Sequence, residues 1–141
     1  MRGPKHRSWR NQVIGPTDSK GGNTKALGAI DLATEIEGMS GRQLRARLVT
    51  IEPGGHLAAH SHKDRPTMEF VVQGNVVEIR NGIEVQHGPG EMVMATREVS
   101  HCWENRRNAP PESLSLKLLI ERNPDGYADW RKNLALKGLR V

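Results

Sequence analysis

The 141-residue chain is long enough for one compact domain with a real core and too short for two. Its net charge of +5 sits largely at the two ends, and no aromatic-interleaved basic motif or recognition-helix pattern accompanies it, which argues against a nucleic-acid partner. No apolar run is long enough to span a membrane or to form a signal-peptide core, and the single cysteine, Cys102, excludes an intrachain disulfide. A cytoplasmic protein without a membrane partner is the expectation.

Residues 1–25 are polar, basic and without periodicity, so they are expected to form a flexible N-terminal arm ahead of a single domain over residues 26–141. The stretch RQLRARLVTIEPGG then alternates: Leu44, Ala46, Leu48 and Thr50 take one side, and Arg45, Arg47, Val49 and Ile51 take the other. MEFVVQG reads as the next strand. Asn81-Gly82, between Val76–Arg80 and Ile83–Gln86, is a two-residue hairpin signal, because both central residues need positive φ. EMVMAT, SHCWENR and LSLKLLIER follow as three more short strands. In YADWRKNLALKGL, Tyr127, Trp130 and Leu134 recur at helical spacing, with Gly138 placed to end a short terminal helix. Short strands at fairly even spacing with turn signals between them predict an all-β sandwich or barrel.

Histidines are concentrated in GGHLAAHSHKDRPTMEFVVQG. In an extended segment His56, His60 and His62 share a face by parity, and His60 and His62 lie roughly 6.5–7 Å apart at Cα, close enough for two imidazoles to meet one ion. Taken alone, an H-x-H pair is more often a surface loop feature. His101, in EVSHCWEN, supplies a third imidazole beside a turn and changes those odds. Imidazole donors alone do not choose among Fe, Mn, Ni, Cu and Zn.

The region from Leu44 to Ile120 resembles a small single-domain bacterial cupin. Gly54, His60, His62 and Gly74 match the first motif of that family, G-x5-H-x-H-x(3,4)-E-x6-G, with its longer spacer. Gly90, His101 and Asn105 match the second, G-x5-P-x-G-x2-H-x3-N, without a change in spacing. The resemblance implies a double-stranded β-helix (a jelly-roll-like barrel, with the motif core over 44–120), usually a homodimer, holding one divalent transition metal ion per chain. The sequence departs from the pattern at the Pro and Gly of the second motif, where Thr96 and Glu98 stand, and at the motif glutamate, whose position is Thr67. Glu69 shares parity with it one inward step further along, so two versions of the site stand: His60, His62, His101 and Glu69 as ligands, or three histidines with Glu69 as a neighbouring acceptor or proton-transfer group. His56 is a candidate acid/base or substrate contact, and Arg65, Thr67 and Trp103 are candidate pocket residues, although an exposed structural arginine and a core tryptophan are the plainer readings. A metal-dependent enzyme acting on a small anionic organic substrate is expected, with dioxygenase chemistry slightly ahead of isomerase or lyase chemistry. The competing reading is a non-catalytic ligand-binding or sensor module whose metal is structural or absent.

Overall fold

The structure, a computed structural model, describes residues 13–122, and among them every regular element is a strand. In chain order these are β1 (Lys20–Asp31), β2 (Arg42–Ser61), β3 (Thr67–Gln73), β4 (Val76–Arg80), β5 (Ile83–His87), β6 (Met92–Ala95), β7 (Ser100–Glu104) and β8 (Ser113–Arg122). The terminal helix expected around Tyr127–Leu134 lies outside the described residues. None of the described elements is a helix long and apolar enough to cross a membrane.

The strands form one curled antiparallel sheet in the order β5-β4-β7-β2-β8-β3-β6, with β1 against β2. The long β2 joins its two halves. Residues Arg42 to Ile51 pair with β8, and His56 to Ser61 pair with β7. Between them the chain passes Pro53, which cannot donate to a ladder, and Gly54 at φ 76°. Asn81 (φ 48°) and Gly82 (φ 83°) make the tight turn expected of them, and β4 pairs with β5 from Val76↔His87 to Arg80↔Ile83.

The first strand is a correction to the expected arm. Residues 20–25 belong to β1, which runs beside β2 with Asn23 opposite Thr50 and Ile30 opposite Leu44. A strand held mainly by ladder hydrogen bonds buries little, so it needs no apolar period, and periodicity cannot find it.

Alternation sorts the faces. Ile51, Val71, Val76, Val93 and Trp103 form the core, with Leu57 packed against them. Arg45, Arg47 and Val49 share the inward parity of Ile51, which leaves the more apolar set, Leu44, Ala46 and Leu48, on the outer face. That outer face continues through Met68, Phe70 and Val72 of β3, Met92 and Met94 of β6 and Leu118 of β8, all exposed.

Gly74 ends β3 at φ 78°, and a Cβ there would meet the Glu112 carbonyl oxygen and Ser113 Cα at 3.0 Å. Both are backbone atoms, so neither can swing aside. Gly74→Ala is therefore expected to cost more than about 1 kcal/mol, read as a lower urea midpoint at unchanged slope. An unaltered midpoint would show that this turn is not strained by a side chain.

Candidate metal centre

The β2–β7 ladder pairs Leu57 with Trp103 and then His60 with His101, so three steps on β2 match two on β7. This bulge inserts one extra residue and reverses the parity of β2. Leu57 and His60 both face inward as a result, and His56 does not share their face, contrary to the expectation from even numbering. His56 sits instead opposite Glu104, with its Nε2 3.6 Å from an Asp18 carboxylate oxygen, outside the histidine cluster.

His62 follows the end of β2, fixed by a hydrogen bond from its backbone N–H to the Val99 carbonyl (2.8 Å), and is fully buried. The rings of His60, His62 and His101 lie 4.6–4.9 Å apart between centroids, steeply inclined to one another. Each ring has an acceptor at Nδ1: the Ala58 carbonyl for His60 (2.8 Å), the Arg65 carbonyl for His62 (2.9 Å) and a Glu78 carboxylate oxygen for His101 (2.5 Å). Since those oxygens only accept, the Nδ1 atoms carry the protons, and all three Nε2 atoms present lone pairs. His62 Nε2 stands 3.1 Å from that of His60 and 2.8 Å from that of His101.

Lone pairs at that distance repel unless something positive lies among them. Two nitrogen–metal bonds of about 2.1 Å at a right angle separate their donors by about 3.0 Å, so the donor set fits a shared ion. Burial drives His60 down to about 4 and His62 to about 3, which keeps both neutral and able to ligate at neutral pH. Among the described residues these three are the group able to hold a metal ion, and no carboxylate joins them.

The carboxylate closest to the trio is Glu78, which sequence reasoning missed. It is buried on β4 opposite Trp103, and it accepts from His101, from Arg80 Nε (3.1 Å) and from His87 Nε2 (3.0 Å). Burial pushes its carboxyl up, but the bonds from His101, Arg80 and His87 together outweigh that and hold it at about 2. His87, at the end of β5, thus helps keep Glu78 charged. The available signal was an acid in the middle of the apolar run VVEI, a place where a charge needs partners.

Glu69 faces inward as expected but stands apart from the imidazoles. Its Oε1 accepts from Ser115 Oγ (2.6 Å), and its Oε2 is buried with no hydrogen-bond partner. It borders a small cavity with Val71, Val76 and Trp103, with room for about one water. Thr67 is buried against the site, its hydroxyl 2.9 Å from His62 Nδ1 and bonded to the Arg65 carbonyl (3.3 Å). Arg65 serves His62 through its backbone while its guanidinium Nε is buried and unpartnered. Trp103 is core and stacks edge-on to His101 at 5.2 Å. Cys102 points to the opposite face, where Gly15 covers it so closely that an added Cβ would lie 2.8 Å from its sulfur.

Comparison with known families matches residues 47–116 to the cupin domain. The chain belongs to the cupin family. This cupin is 28% identical over 117 residues to the tetracenomycin polyketide synthase protein TcmJ of Streptomyces glaucescens, covering 82% of this chain and 74% of that one. Among solved structures it is similar in fold to KdgF from Halomonas sp. (TM-score 0.58, 21% identity, 77% of this chain and 89% of that one). It is likewise similar to the polyketide cyclase RemF from Streptomyces resistomycificus (TM-score 0.56, 20% identity, 88% of this chain and 83% of that one).

Metal analysis of the reconstituted full chain tests the site. His62→Ala is expected to abolish stoichiometric binding, Glu78→Gln to weaken it about 10–100-fold, and Glu69→Gln to leave it unchanged. Loss of metal with Glu69→Gln would place Glu69 among the ligands instead.

Proposed function

We propose that this cupin is a metal-dependent enzyme that takes a proton from a small, anionic, enolisable carbonyl compound, the opening step of an isomerisation or ring closure. The observation that carries this reading is Glu69: an inward-facing carboxylate with one oxygen anchored by Ser115 and the other buried without a partner. His60, His62 and His101 would hold an Fe, Mn, Ni, Cu or Zn ion, which would supply Lewis acidity toward a carbonyl oxygen. Glu69 Oε2 accepts the proton from the carbon beside that carbonyl, the C–H bonding pair moves toward the oxygen, and the same carboxyl returns the proton at the end of the cycle. Glu78 keeps His101 in the tautomer that ligates, and Val71, Val76 and Trp103 keep bulk water from Glu69. Two similar proteins are named for polyketide chemistry, and polyketides are compounds of this enolisable kind.

A second reading keeps the same residues with O2 as co-substrate. It is favoured by the all-imidazole donor set, which leaves a bound ion its full charge for anionic ligands. The two readings separate in one experiment on the metal-loaded protein with a β-diketone in D2O. Deuterium wash-in between the carbonyls, followed by NMR, is expected to exceed background and to fall at least about 100-fold in Glu69→Gln with metal content unchanged. Stoichiometric O2 uptake with that substrate would favour the oxygenase. Neither exchange nor uptake would leave a ligand-binding module.

The proposal includes a homodimer across the outer face. Met68, Phe70, Val72, Met92, Met94 and Leu118 form an exposed, uncharged patch on three adjacent strands, and a second copy offers the same uncharged surface in return. Met94→Lys is expected to shift the sedimenting species from dimer to monomer. A monomeric wild type would end this part of the reading.

A further inference from the structure

The inner face of the sheet carries a polar row beside the imidazoles that the proton-transfer reading does not use. Across β3, β8 and β2, Glu69 pairs with Lys117 and Lys117 with Arg47. Lys117 is only 6% exposed, yet among the described residues its amine makes no hydrogen bond or ion pair. An ammonium on so enclosed a side chain, with no carboxylate in contact, is costly, so its presence there needs a reason. The guanidinium Nε atoms of Arg47 and Arg65 are buried and unpartnered. Nearby carboxylates do not balance these cations. Glu121 is shared through one oxygen by Arg45 and by Arg47 (2.9 Å), and Glu69 spends one oxygen on Ser115. Four cationic side chains thus face two carboxylates at this end of the sheet.

The row is next to the metal centre. Thr67, which touches His62, is one inward step along β3 from Glu69, and Arg65 lends its backbone carbonyl to His62 Nδ1 (2.9 Å). A divalent ion bound by the histidines adds to the same excess of positive charge. What the arrangement lacks is a negative group seated between the row and the imidazoles.

We propose that Lys117, with Arg47 and Arg65 at its sides, is a seat for the carboxylate of a small organic acid, which holds the rest of that molecule toward His60, His62 and His101. A carboxylate is favoured because an ammonium and two planar guanidinium groups offer it several convergent donors. The inference deepens the proton-transfer reading, since it says how an anionic substrate is anchored with its carbonyl toward the metal and its C–H toward Glu69.

The test is equilibrium binding to the full chain stripped of metal, which separates this seat from any Lewis-acid role. The probes are succinate, its dimethyl ester and inorganic phosphate, followed by calorimetry. Succinate is expected to bind and the ester not, with phosphate weaker than succinate. Lys117→Met is expected to weaken succinate at least 10-fold and Lys117→Arg to restore most of it, while reconstituted metal stoichiometry stays that of wild type. Because Lys117→Met removes the cation across the ladder from Glu69, the double change Lys117→Met/Glu69→Gln removes both charges together and should show the same loss in a folded protein. Succinate affinity indifferent to Lys117 in either background would overturn the seat, as would phosphate binding more tightly than succinate. Should the seat hold while the metal-loaded protein exchanges no deuterium, the anchoring inference survives and the proton-transfer reading falls.

Discussion

The site depends on three backbone or carboxylate oxygens that each take a proton from the far side of an imidazole. The Ala58 and Arg65 carbonyls and the Glu78 carboxylate fix His60, His62 and His101 in the same tautomer, and so aim three lone pairs at one another. That arrangement is unfavourable in an empty protein interior. The polypeptide tolerates it because each acceptor is itself held by the fold: Ala58 within β2, Arg65 by the hydrogen bond from its own N–H to the His62 carbonyl, and Glu78 by Arg80 and His87. Folding free energy is thus spent on positioning three donors whose spacing fits an ion.

The polar character of the interior follows from the same constraint. A small barrel with few aromatic residues cannot fill both ends with apolar side chains, and here the core of Ile51, Val71, Val76, Val93 and Trp103 occupies one part only. Beyond it, Val49 and Leu119 are inward and apolar, but Arg45, Arg47, Lys117, Glu69 and the histidines also face inward, while several of the larger apolar residues point outward. Polar groups inside and apolar groups outside reverse the usual pattern of a half-buried sheet. The first departure suits an interior that holds a site, and the second suits the dimer proposed across the outer face.

Much of this was legible in the chain. Period-two alternation located β3 through β8 and the part of β2 before Pro53, and Asn81-Gly82 located the hairpin, because side-chain direction and positive φ are local properties. The trio of histidines was legible from spacing and context, since His60 and His62 sit on one segment and His101 opposite them. Three things were not. β1 pairs through its backbone, which leaves no mark in hydropathy. The side of β2 that faces inward was open, as hydrophobicity alone would have turned Leu44 and Leu48 inward. The role of Glu78 depends on β4 lying beside β7, a long-range pairing that no local pattern encodes.

The bulge between Leu57 and His60 carries a consequence for how such a chain tolerates change. A ladder without the extra residue would pair more regularly, and by ordinary measures would be the sounder sheet. It would also rotate His60 out of the interior and present the neighbouring alanine in its place. Insertions and deletions in those few positions are therefore graded by frame rather than by size: a two-residue change preserves which side chains look inward, whereas a single-residue repair yields a tidier protein with nothing to hold.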